Sequence, residues 1–191
     1  MKKVIIGFVS LVTAVTLSAC GDDKKDTSSQ EDSNVNTEEN VNMDHSDTSH
    51  TINGEVPEGL KVAQNPTFKV GSKVNLDTDH MEGMKGAEAT IVGAYDTTAY
   101  VVSYEPTTGG ERVENHKWVI QEEIKDAGEE VLASGTKVTI EADHMEGMKG
   151  ATAEIESSEQ TTVYMVDYTP TTGGDEVKNH KWVTESELTA R

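Results

Sequence analysis

Two short clusters hold the residue types in this chain that could bind a soft ion. Asp79-His80-Met81-Glu82-Gly83-Met84-Lys85-Gly86-Ala87 returns unchanged 64 residues later as Asp143-His144-Met145-Glu146-Gly147-Met148-Lys149-Gly150-Ala151. A second segment, Asn115-His116-Lys117-Trp118-Val119, returns at the same spacing as Asn179-His180-Lys181-Trp182-Val183. Each copy therefore brings one imidazole and two thioethers close together, with another imidazole beside a Trp further on. Imidazole and thioether suit copper, and a thioether binds Cu(I) without first losing a proton. Zinc favours His, Cys and carboxylate and has no use for the Met pair. Calcium needs more oxygen ligands than Asp79 and Glu82 supply. The candidate ligands are His80, Met81 and Met84, with His144, Met145 and Met148 in the second copy, and His116 and His180 beside them.

Each of these residues also has a plain structural reading. Met is a common gap-filler in cores, and a duplicated fold repeats its structural residues along with any others. Trp118 and Trp182 could present a ring face to a cation or pack in a core. The residue types leave both readings open. Gly83 and Gly86 permit the positive φ of a tight loop, and Met84 follows Met81 by three residues, so one turn could bring both sulfurs to one side.

The elements that must carry these loops alternate with period 2, which predicts strands. A first strand with a Gly-Ser turn in its middle spans 68–76, and its copy spans 132–140. After the His-Met loop come second strands at 87–92 and 151–155, a turn, and third strands at 98–104 and 162–168, rich in β-branched and aromatic residues. Pro106-Thr107-Thr108-Gly109-Gly110 and its copy at 170–174 read as turns. A short strand at 116–120 leads into Gln121-Glu122-Glu123-Ile124, one helical or 3₁₀ turn, and the second copy ends likewise at Thr184–Leu188. This predicts an all-β chain with two small SH3-like barrel units in tandem, at 61–126 and 131–191, after a disordered acidic tether at 21–60.

The rest of the chain bounds the setting. Net charge is −19, hydrophobic residues are 34% and aromatics 5%. Such a balance disfavours nucleic-acid binding, which needs surplus Lys and Arg. Between Gly21 and Leu60, two Lys face eleven Asp and Glu, and that segment cannot bury enough apolar surface to offset its ordering entropy. Met43, His45 and His50 within it read as linker residues before ligands. Lys2 and Lys3, the apolar run 4–17 and Leu17-Ser18-Ala19-Cys20-Gly21 resemble a bacterial lipoprotein signal peptide over 1–20. Cys20 would then be lipidated, anchoring the protein to the membrane with its folded part outside the cytoplasm. As the only cysteine, it leaves none for a disulfide, thiolate cluster or nucleophile. No Ser-His-Asp arrangement or phosphate loop suggests an enzyme.

The paired His-Met-x-Gly-Met-x-Gly-Ala loops, each followed by Thr-Thr-Gly-Gly and Asn-His-Lys-Trp-Val, resemble the YdhK family of Gram-positive bacterial lipoproteins, which includes the staphylococcal copper-binding lipoprotein CopL. The likeness covers both units, about 61–190. It implies a protein that binds Cu(I) at the cell surface and contributes to copper tolerance, with a copper-export pump as a candidate partner. Without it, a cell-wall or protein-binding module of tandem barrels fits the same pattern.

Overall fold

The computed structural model describes residues 54–191. The signal segment, Cys20, the His45 and His50 cluster and most of the acidic linker lie outside the described residues.

The chain forms β1 (Lys61–Val62), β2 (Lys73–Leu76), β3 (Glu88–Tyr104), β4 (Val113–Ile120), β5 (Lys137–Thr139), β6 (Thr152–Tyr168), β7 (Val177–Thr184) and β8 (Leu188–Ala190). Two 3₁₀ turns, at Gln121–Glu123 and Glu185–Glu187, follow β4 and β7. The all-β tandem repeat expected from the sequence is what forms, and the acidic turns are the 3₁₀ turns. The first strands are shorter than the alternation suggested.

One expectation is overturned. The second and third strands of each repeat are not separated by a turn but run together as β3 and β6, 17 residues each. Gly93 and Asp96 lie near the middle of β3. The strand absorbs Gly93 as a local irregularity, where the register with β6 shifts between Ile91 and Gly93. β3 and β6 pair antiparallel along their whole length, from Ala89↔Tyr168 to Tyr104↔Ala153. With both backbones satisfied by each other, the polar middle needs no turn.

This long ribbon makes the repeats share their cores. β2 pairs with β3 on one side and β8 on the other. The start of the first repeat is thus zipped to the end of the second. Conversely, Ile124, just past the first 3₁₀ turn, bridges Ile140 of the second repeat. One core joins Val74, Leu76, Met84 and Ile91 to Tyr164, Tyr168 and Leu188. The other joins Tyr100, Tyr104 and Ile124 to Ile140, Met148 and Ile155. A third cluster, with Trp118, Ile120, Val163 and Trp182, lies between their elements. The result is one eight-stranded sheet that does not close. Half one combines the opening of repeat one with the ending of repeat two; half two is the reverse.

Candidate functional site

Each His-Met loop is two turns back to back. The Met84 amide donates to the Met81 carbonyl at 3.2 Å and the Ala87 amide to the Met84 carbonyl at 3.0 Å; the second copy repeats both distances from Met148 to Met145 and Ala151 to Met148. The third residue of each turn is Gly83 (φ 75°) or Gly86 (φ 77°), the positive φ that such a turn requires. Gly83 is needed for a second reason. A Cβ there would come within 2.5 Å of Thr172 Oγ1 and 2.9 Å of Pro170 Cβ, and Gly147 meets Thr108 and Pro106 in the same way. The loop of each repeat is docked on the Pro-Thr-Thr-Gly-Gly turn of the other, with Thr171 N on the Gly83 carbonyl at 2.8 Å and Thr107 N on that of Gly147 at 2.9 Å.

The two Met of each loop part company. Met84 and Met148 are fully buried, one in each core. Met81 and Met145 are half-buried and line a cleft of about 880 Å³ that His80, His116, His144 and His180 also line. Tyr168 Oη donates to Met81 Sδ at 3.5 Å. The structure thus brings six of the eight sequence-derived candidates, from both repeats, onto one cleft. The His116 and His144 rings lie 6.4 Å apart. Among the described residues no three His, Cys, Asp or Glu side chains form a group able to hold a metal ion.

Asn115 and Asn179 aim the second pair of histidines. Both take left-handed backbone (φ 53° and 52°), which Asn tolerates better than branched residues do. Their amides donate to Ser103 Oγ at 3.0 Å and Asp167 Oδ1 at 2.8 Å. The Lys117–Trp118 and Lys181–Trp182 peptide bonds that follow are cis. His116 and His180 rest edge-on against Tyr104 and Tyr168.

Two residues absent from the sequence-derived candidates organise the site: Glu187 and Glu123. Glu187 Oε1 lies 2.7 Å from His80 Nε2 and accepts from Thr78 Oγ1 at 3.0 Å. Its Oε2 accepts from Trp118 Nε1 at 2.8 Å and the Thr184 amide at 3.0 Å. Glu123 Oε1 lies 2.7 Å from His144 Nε2, and its Oε2 accepts from Trp182 Nε1 at 3.0 Å and the Ile120 amide at 3.2 Å. Each carboxylate gathers the His and the Trp of the other repeat. A signal was present in the chain: at the 64-residue spacing Gln121, Glu122 and Glu123 become Glu185, Ser186 and Glu187, so only the last position is acidic in both copies.

The electrostatics follow from this packing. Burial pushes the Glu187 carboxyl up, but the hydrogen bond and charge of His80, with the Thr184 amide and Trp118, outweigh it and hold the group at about 2. Lys117 Nζ stands 3.8 Å from Glu187 and 5.1 Å over the Trp118 ring. Lys181 lies over Trp182 at 5.9 Å; burial pulls its ammonium down while Glu123 and Glu55 hold it up. The side chains of His80 and His144 are only 7% and 6% exposed, and the Nδ1 atom of each has no hydrogen-bond partner. Imidazole nitrogens and thioethers are the donor types that a soft cation takes.

The fold and site together define an all-β protein of two interlocked repeats around a His- and Met-lined cleft. The chain belongs to the family described as protein of unknown function (DUF1541), whose model matches twice, over residues 70–121 and 134–185. It is 58% identical to a Bacillus subtilis protein named uncharacterized protein YdhK, over 100% of this chain and 91% of that protein. A 2.00 Å crystal structure of the B. subtilis ydhK protein, described as a DUF1541 family protein, matches at TM-score 0.71 and 70% identity, covering 72% of this chain and 93% of that one. The solution structure of the ydhK C-terminal domain from the same organism matches at TM-score 0.62 and 72% identity, covering 65% of this chain and 94% of that one.

Proposed function

We propose that the protein is a lipoprotein, anchored through Cys20 on the outer face of the cell membrane, that binds and sequesters copper as Cu(I) and so contributes to copper tolerance. The observation that carries this reading is the shared cleft: four imidazoles and two thioethers, drawn from both repeats, face the same space. In this reading His80, Met81, His144 and Met145 supply the principal donors, and His116 and His180 complete the wall. Met84 and Met148, fully buried in the two cores, pack beneath the loops rather than bind. The resemblance to a family that includes a copper-binding lipoprotein supports the choice of metal. A copper-export pump is the partner that would hand the ion to this site.

A competition titration against a Cu(I) chelator tests the proposal. The double variant Met81→Leu/Met145→Leu is expected to lose at least about tenfold in affinity, because Leu keeps the volume and removes the soft donor. Met84→Leu/Met148→Leu is expected to bind as the parent does. If the Met81/Met145 variant is folded and holds Cu(I) as tightly as the parent, the cleft thioethers are not ligands and the reading falls. Pull-down on purified cell wall, with and without copper, tests the alternative of a wall- or protein-binding module.

A further inference from the structure

We infer that Glu187 and Glu123 are positioning residues that fix the tautomers of His80 and His144, so that Nδ1 of each ring is the atom offered to the ion. The ligand in this inference rests on the copper reading above; the tautomer does not. Glu187 uses both oxygens as acceptors, with Trp118 Nε1 and the Thr184 amide on Oε2 and Thr78 on Oε1. An ionised carboxylate only accepts. The 2.7 Å approach of His80 Nε2 to Oε1 therefore needs a proton on Nε2. His80 Nδ1 is buried and has no hydrogen-bond partner; a proton there would be a stranded donor, which low-dielectric surroundings disfavour. When neutral, the ring is thus the Nε2–H tautomer with a lone pair on Nδ1. His144 and Glu123 repeat the arrangement at 2.7 Å, again with a partnerless buried Nδ1.

A carboxylate behind one ring nitrogen, holding its orientation and raising the basicity of the other, is what metal-binding histidines ordinarily have. In this fold the carboxylate comes from the opposite repeat. Each repeat's loop therefore depends on the other repeat's 3₁₀ turn to present its ligand.

The substitution Glu187→Gln isolates the effect. Two fixed donors, Trp118 Nε1–H and Thr184 N–H, face the Oε2 position, so the Gln oxygen must sit there and its NH₂ must face His80. A donor opposite Nε2 makes that nitrogen an acceptor and moves the ring proton to Nδ1. Thr78 can turn its hydroxyl to accept, so the group left stranded is the new Nδ1–H. Glu123→Gln does the same to His144, with Trp182 Nε1 and the Ile120 amide as the fixed donors.

Long-range ¹H–¹⁵N spectra of the imidazoles in the metal-free, ¹⁵N-labelled full chain, at a pH of about 8, above the ordinary histidine range, test this directly. In the parent, His80 and His144 are expected to show protonated Nε2 and lone-pair Nδ1. E187Q is expected to invert His80 and leave His144 unchanged, and E123Q the reverse. With Cu(I), each variant is expected to bind about 10- to 100-fold more weakly. A parent His80 carrying its neutral proton on Nδ1 overturns the inference without any variant. So does a folded E187Q whose His80 tautomer or Cu(I) affinity matches the parent. A parent that shows the expected tautomers and binds no Cu(I) upholds the positioning role and overturns the copper reading.

Discussion

The two halves of the sheet use the same His, Trp and Glu but surround them differently. In half one, Glu187 has Thr78 and the Thr184 amide and hydroxyl as extra donors. In half two, the residue at the Thr78 position is Ala142 and that at the Thr184 position is Ile120, so Glu123 keeps only one backbone amide beyond its His and Trp. Two copies free to diverge have kept the His–Glu–Trp link and let its polar surroundings change. Within this chain, then, the link is the unit that both halves need, and the added hydroxyls adjust how firmly one carboxylate is held.

Removing the carboxylates should separate the halves most widely. Glu187→Leu strands His80, Trp118, the Thr184 amide and the Thr78 hydroxyl, and each buried unpaired group costs about 1–3 kcal/mol. A loss on the order of 3–5 kcal/mol is expected from urea unfolding of the metal-free protein. Glu123→Leu, with fewer donors stranded, is expected to cost about 1 kcal/mol less. Equal losses would break the comparison.

Acid should act on Glu187. The folded Glu187 carboxyl sits at about 2, against an ordinary 4.5. A depressed carboxyl binds its proton more readily in the unfolded chain, so its contribution is fully present above about pH 4.5 and is lost as pH falls toward 2. Metal-free protein is expected to lose stability across that window, and Glu187→Gln to flatten that part of the curve. An unchanged curve in the variant would place the acid sensitivity elsewhere.

Where the halves are alike, their responses should match. Gly83→Ala and Gly147→Ala each force a Cβ onto positive-φ backbone, at about 1–2 kcal/mol, and into the opposing turn at 2.5 and 2.6 Å from a Thr hydroxyl. Losses that agree within about 0.5 kcal/mol are expected from thermal or urea unfolding.

The same likeness explains what the sequence could and could not reveal. Strand positions, the glycine turns and the 3₁₀ turns depend on local alternation and φ preference, so they were legible. The exchange between repeats was not, because both copies carry the same pattern. A β2 strand that pairs with the end of its own repeat or of its sibling looks identical in one dimension. The long β3 and β6 were hidden for a related reason: Gly93 and Asp96 in the one and the polar run 156–161 in the other resemble a turn until another strand satisfies their backbone. For the site, the residue types singled out His80, Met81, His144 and Met145, which the cleft does gather. They did not distinguish Met81 from Met84, since three residues of spacing cannot say which sulfur the turn sends into the core. Glu123 and Glu187 went unread because an acidic residue in a surface-like turn ordinarily faces water.

The smallest effect is the sharpest test of how the halves diverged. Thr78→Ala makes half one resemble half two by removing one 3.0 Å hydrogen bond from a buried carboxylate, and should cost about 0.5–1.5 kcal/mol. Ala142→Thr attempts the reverse. The site of Ala142 is as buried as that of Thr78, and Glu123 holds the same distance to its His as Glu187 does. A Thr hydroxyl there should find Oε1 and offset its own desolvation, giving a change within about 0.5 kcal/mol of zero or a small gain. If Ala142→Thr instead destabilises by more than about 1 kcal/mol in urea unfolding, the space around Glu123 has closed over the smaller side chain. The two carboxylate sites would then have diverged in packing as well as in hydrogen bonding.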